Sequence, residues 1–156
     1  MLENILGNKH PKTINSYTVL GGFQFDHGNY NEALMYFEKV RIISEEEYGC
    51  DGVYTASVYC QLADIHYALN DTNKALEYYK EAMPILENGL GLEHPTTANV
   101  YKGMGRAYNK VEDFENALSF MEKTLVVYEK LPESETQDVH NIKEAVEDIK
   151  KKLGKD

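Results

Sequence analysis

The chain has no tryptophan, two cysteines and four prolines in 156 residues, and it is short of positive charge, with 16 Lys and Arg against 26 Asp and Glu. Each shortage excludes something. Cys50 and Cys60 are too few for a disulfide framework and lack the paired spacing of a zinc site. A net charge of −10 is opposite in sign to the basic footprint that phosphate backbones select, so nucleic acid is not an expected partner. No apolar run reaches the roughly 18–20 residues that a helical membrane span requires, and no charged-then-apolar leader opens the chain, so no membrane partner is expected. The composition points to a soluble domain, expected in the cytoplasm, with room for a sizeable shared core.

What is present is a surplus of tyrosine, twelve in all, and an internal repeat that accounts for part of it. Shifted by 42 residues, the chain aligns with itself. Tyr17, Tyr59 and Tyr101 fall in register, as do Leu20, Leu62 and Met104, each followed by a small residue at Gly21, Ala63 or Gly105. Ala33-Leu34, Ala75-Leu76 and Ala117-Leu118 follow, then Phe37, Tyr79 and Met121. Glu45, Glu87 and Glu129 close the units, and Gly49 and Gly91 sit at the joints. Apolar residues three and four apart give two amphipathic helices per unit. The breaks come at Asp26–Asn29, Asn70-Asp71 and Glu112-Asp113, where Asn29, Asp71 and Asp113 suit the N-cap position. Second helices are expected over 30–48, 72–89 and 114–130, and Pro11 and Pro95 suit the start of first helices. Pro84 falls inside the middle second helix, where it should kink or break it. A lone helix pair cannot bury its stripe, so the expected fold is all-α, a right-handed solenoid of stacked antiparallel helix pairs.

The pattern Tyr17-x-x-Leu20-Gly21, then Gly28-x-Tyr30-x-Glu32-Ala33-Leu34, resembles the tetratricopeptide repeat. The 42-residue period and the G-x-x-HP-x-T joint, at Gly7–Thr13 and Gly91–Thr97, resemble the kinesin-light-chain type. The resemblance covers residues 7–132 and implies repeats at 7–48, 49–90 and 91–132. Departures stand at Gln24 and His66, where the family usually carries Tyr, and at Thr72, where it carries an aromatic. Leu2–Gly7 match Leu86–Gly91 when shifted by 84, so residues 1–6 read as a remnant of a preceding repeat helix and the chain as a piece of a longer array. Pro132–Glu135 interrupts the pattern, and a helix over 136–153 with Val139, Ile142, Val146, Ile149 and Leu153 on one stripe reads as a polar C-terminal cap for residues 133–156.

The five histidines offer no chemistry. His10 and His94 are joint residues, His27 lies in a turn, and Asp64 and His66 are two apart on a helix and point away from each other. No HExxH, CxxC, phosphate-cradling glycine loop or nucleophile elbow occurs. Neither enzyme activity, nor a metal, nor a cofactor is expected. The resemblance instead implies a concave groove lined by first helices. It would present Asn15, Thr18 and Phe25, then Gln61, Asp64 and Tyr67, then Asn99, Lys102, Arg106 and Asn109, with Gly22 and Gly103 beside them. The family's heat-shock carboxylate clamp is not carried over, because Thr18, Gly22, Gln61, Asn99 and Gly103 stand at its positions. Kinesin-type groove asparagines are likewise replaced by Val19, Gln61 and Gly103. A groove negative at Asp26 and Asp64 and positive at Lys102, Arg106 and Lys110 remains, with a cross-repeat ion pair between Asp64 and Arg106 as its plainest alternative. The expected function is protein–protein interaction, with an acidic peptide segment against the third repeat. Alternatives are a regulatory region of a multidomain signalling protein, or a spacer that self-associates through an incomplete N-terminal edge.

Overall fold

The computed structural model describes residues 11–131 and 137–154; the expectations for residues 1–6 and for the break at Pro132–Glu135 fall outside them. Among the described residues there are seven helices and no strand. They are α1 (Pro11–Asp26), α2 (Tyr30–Tyr48), α3 (Val53–Ala68), α4 (Thr72–Leu90), α5 (Pro95–Lys110), α6 (Phe114–Tyr128) and α7 (Gln137–Lys152). Pro11 and Pro95 open α1 and α5, where a missing N–H costs nothing. The fold is all-α, of the solenoid class. The chain divides into two compact units, Met1–Ile85 and Leu86–Asp156.

In the first unit, Ile14 and Tyr17 of α1, Ala33, Phe37, Val40 and Ile43 of α2, and Val58, Leu62 and Ile65 of α3 form one buried cluster. Burial of a Leu or Ile side chain of this kind contributes about 1.5–3 kcal/mol. Gly21 is where α1 meets α2: a Cβ there would stand 2.8 Å from the Phe37 ring. In the second unit Met121 of α6 closes in the same way on Gly105 of α5, with 2.9 Å to a Cβ built there. α7 buries Val139, Ile142, Val146 and Ile149 against Met121, Val127 and Tyr128 of α6. These four lie one 42-residue period beyond Thr97, Val100, Met104 and Ala107, all buried on α5. The terminal helix therefore presents its stripe in the register of a first helix.

Each turn between paired helices is the same backbone device. The N–H of Asn29 donates to the Gln24 carbonyl, that of Asp71 to His66, and that of Asp113 to Tyr108, at 2.9, 2.9 and 3.0 Å. Inside each loop Gly28, Asn70 or Glu112 takes a positive φ, of 76, 66 and 62°. This is the Schellman arrangement that satisfies orphan carbonyls at a helix end. Asp71 and Asp113 then cap the next helices, accepting from the backbone N–H groups of Lys74 and Asn116 at 3.2 Å each.

Two expectations are corrected. Asn29 makes no side-chain cap; its amide donates to Gln24 Oε1 at 2.8 Å. Gln24 presents an amide oxygen there that the equivalent His66 and Tyr108 do not have. The break at Pro84 does not occur either, since α4 runs unbroken from Thr72 to Leu90. Pro84 is exposed, so the lost hydrogen bond falls on the solvent side, while Ala82 and Leu86 on either side are fully buried.

Glu112 bears a left-handed conformation that costs an L side chain energy and glycine little. Replacing Glu112 by Gly is expected to stabilise the protein by about 0.5–1 kcal/mol, and Gly28→Ala to cost a similar amount. Nothing stands within 4 Å of a Cβ at Gly28, so its cost is purely conformational. Paired thermal melts check the opposite signs.

Candidate binding surface on the first helices

The groove-side residues of the first unit lie on α1 and α3. Asn15 and Gln61 are exposed. Thr18 is half-buried, and its hydroxyl donates to the Ile14 carbonyl at 3.0 Å, a back-bond within its own helix. Asp64 is half-buried and accepts a 2.5 Å hydrogen bond from the Tyr79 hydroxyl of α4. Tyr67 is half-buried on the following turn. Phe25 is not a free aromatic anchor. It packs against the core cluster, its ring centroid 5.5 Å from that of Tyr30 at an interplanar angle of 60°.

In the second unit the surface lies on α5. The Tyr128 hydroxyl donates a short hydrogen bond to Asn99 Oδ1, and Lys102 Nζ sits 5.5 Å from the centroid of the same Tyr128 ring. Asn99, Lys102 and Tyr128 thus form one cluster. A cation over a tyrosine face in this geometry is worth about 0.5–1 kcal/mol where exposed. Arg106 and Lys110 are exposed, one and two helical turns further along the face that carries Lys102. Asn109 Oδ1 accepts from Lys152 Nζ of α7 at 3.5 Å. Gly103 is buried, so it offers a ligand no surface.

Sequence reasoning missed what links each second helix to the helix after it. Tyr59 Oη donates to Glu45 at 2.9 Å, and Tyr101 Oη to Glu87 at 2.6 Å. The third member replaces the tyrosine: Lys143 of α7 pairs with Glu129 at 2.8 Å. Glu45, Glu87 and Glu129 were each visible as repeat positions, and the constant separation of 14 residues to Tyr59, Tyr101 and Lys143 was the available signal. Burial first, and the glutamate acceptor second, push both tyrosine hydroxyls above their ordinary range. Glu45 also accepts from Arg41 at 2.9 Å, and Arg41 reaches Glu38 at 2.8 Å. His94 is more than a joint residue: its Nδ1 accepts the Thr96 N–H at 3.1 Å and caps α5.

No group of His, Cys, Asp and Glu among the described residues could hold a metal ion. No helix among them is long and apolar enough to cross a membrane.

Paired antiparallel helices with a 42-residue recurrence define an all-α repeat protein. Residues 13–88 match the tetratricopeptide repeat family. These residues are tetratricopeptide repeats, and the 42-residue recurrence runs on through the helices after them. Its fold is similar to that of BtubC (BKLC) from P. vanneervenii, with a TM-score of 0.82 and 23% identity over 92% of this chain and 57% of that one. It is also similar to a Podosopora anserina protein described as a kinesin light chain of nearly identical TPR-like repeats, at 0.77 and 20%, covering 98% and 72%. A component of a T3SS complex from Aeromonas hydrophila matches at 0.75 and 17%, covering 97% and 90%. Among curated proteins, a clustered mitochondria protein homolog of Kluyveromyces lactis is 32% identical over 65 residues. That match spans 42% of this chain and 5% of the relative.

The two cysteines differ in a way that can be measured. Burial, reinforced by the neighbouring Asp64 charge, pushes the Cys60 thiol up to about 12, whereas Cys50 is exposed in the α2–α3 loop. The thiolate is the reactive form. One equivalent of an aromatic disulfide reagent is expected to react promptly at pH 7–8, at Cys50, and Cys60 only after denaturant is added. Peptide mapping of the labelled protein decides between them.

Proposed function

We propose that this chain is a protein-binding module that holds an extended peptide or partner helix along its first helices. The arrangement on α5 carries the reading. Lys102 is held over the Tyr128 ring and Asn99 is tied to the Tyr128 hydroxyl, so two polar side chains are ordered before a ligand arrives. Ordering them in advance lowers the entropic cost of binding. With Arg106 and Lys110 on the same face, the stripe favours a partner segment bearing Asp or Glu. In the first unit, Asn15 and Gln61, exposed on α1 and α3, would offer neutral hydrogen-bonding groups of their own. Binding, and not catalysis, is the role we assign, in the cytoplasm.

A second reading concerns the protein as a whole. The match to a curated relative that this chain spans by only 5% favours a module that acts inside a longer polypeptide, where an array can hold or release a neighbouring domain. Both readings use the same surface.

The test is a fluorescence-anisotropy titration of a panel of extended peptides that differ in acidic content. Acidic members should bind and their Gln and Asn counterparts should bind about tenfold or more weakly, because neutralising a charge-assisted contact costs about 1.5–3 kcal/mol. Lys102→Glu with Arg106→Glu should abolish binding while circular dichroism is unchanged. Equal affinity for the double variant disposes of the reading.

A further inference from the structure

We propose that the segment bound by the second unit is extended and alternates in charge, with acidic side chains turned to α5 and basic ones to Glu144 and Asp148 of α7. Resting on the peptide-binding reading above, it adds α7 to that surface as a second wall. One 42-residue period beyond Asn99, Lys102 and Arg106 stand Asn141, Glu144 and Asp148. The face that is basic on α5 is therefore acidic on α7. Both acids are open to a ligand, with 69% and 61% of their side chains exposed.

α6 holds the two helices in step. The Tyr128 hydroxyl at its end donates to Asn99 of α5, and the adjacent Glu129 takes Lys143 of α7 at 2.8 Å. At the opposite end Lys152 Nζ of α7 lies 3.5 Å from Asn109 Oδ1 of α5. The first halves of α5 and α7 thus meet at the end of α6 and their last turns meet each other, so they run side by side in one direction. The acidic face is also not the one on which a paired helix packs. On α5 that helix packs at Ala98, Tyr101 and Gly105. The counterparts on α7 are His140, Lys143 and Glu147, centred about a quarter of a turn away from Glu144 and Asp148.

The spacing selects the conformation of the ligand. Lys102 and Arg106, like Glu144 and Asp148, are four residues apart, which is about 6 Å along a helix. In an extended chain, alternate residues point the same way about 6.6–6.8 Å apart, and those between them point to the other side. A strand laid lengthwise between α5 and α7 therefore offers residues i and i+2 to the basic pair and i+1 and i+3 to the acidic pair. A uniformly acidic strand would set half of its charges against Glu144 and Asp148. On their own helix these acids contact His140 and Lys152 at 3.3 and 2.8 Å. Exposed contacts of this kind contribute little, so they exchange for ligand charges without large loss.

Anisotropy titrations of the whole chain with three labelled peptides of equal length test this: Glu alternating with Lys, Glu alternating with Gln, and the first composition gathered into one acidic and one basic block. The Glu–Lys alternation is expected to bind about three- to tenfold more tightly than either of the others at low salt, with the gap closing as salt is raised. Glu144→Lys combined with Asp148→Lys should leave the circular dichroism unchanged, since both side chains are exposed, and should make the Glu–Gln peptide the tightest. Equal affinity for the alternating and block peptides overturns the proposal, and so does an order of affinities that the double variant leaves unchanged. If Lys102→Glu with Arg106→Glu still abolishes binding under either of those outcomes, the peptide-binding reading stands without the alternation; if none of the three peptides binds, both fall.

Discussion

The paired helices described in this protein cannot hide their apolar stripes within one pair, and the architecture follows from that one constraint. α1 and α2 together still leave Val40 and Ile43 facing outward, and α3 covers them with Val58, Leu62 and Ile65. α6 repeats the debt, and α7 discharges it with Val139, Ile142, Val146 and Ile149. Propagation by nearest-neighbour burial explains why the repeat tolerates change at single positions. What must be kept is the volume between two successive helices, so Phe37, Tyr79 and Met121 can serve in turn. The small residue opposite responds to the same volume, with glycine facing Phe37 and Met121.

The tyrosine–glutamate contacts play a different part. Apolar stripes alone are permissive about sliding, because adjacent turns offer similar side chains. A hydrogen bond from Tyr59 to Glu45, or from Tyr101 to Glu87, has a direction and a short range, and it fixes which turn of one helix meets which turn of the next. Leaving the glutamate without its donor in a partly buried place would cost about 1–3 kcal/mol, so a slipped register is disfavoured at every joint. Lys143 can take over from tyrosine at Glu129 because that end is exposed and a hydrated ion pair suffices.

How much of this was legible in the sequence follows from the range of the forces involved. The helices, their turns and the stripe are properties of near neighbours along the chain, and the 42-residue recurrence states them three times. Asp71 and Asp113 cap as their identity suggests. Asn29 does not, because Gln24 five residues earlier offers its amide a competing partner. The missing N–H of Pro84 suggests a break, yet which side of the helix faces water decides the outcome, and that is a tertiary fact. The site was less legible than the fold. Phe25 has the chemistry of a recognition aromatic and the spacing of a surface residue, but it lies half-buried, packed against Tyr30 and the edge of the core cluster.

Two residues of the candidate surface share a property that periodicity does not reveal. Asp64 and Asn99 each accept a tyrosine hydroxyl from a neighbouring helix, Tyr79 in the first unit and Tyr128 in the second. A side chain held in this way has one lone-pair set occupied and the rest of its polar atoms aimed, so it presents a defined pattern. In the proposed binding mode Asn99 would turn its amide donors to a ligand carbonyl or carboxylate, beside Lys102 Nζ held over the Tyr128 ring. Ordering of this kind uses the same residue type that ties successive helices together. The tyrosine surplus noted in the composition thus serves two ends: a phenol long enough to span two helices carries an apolar ring for the packing and a hydroxyl for the polar group beyond it.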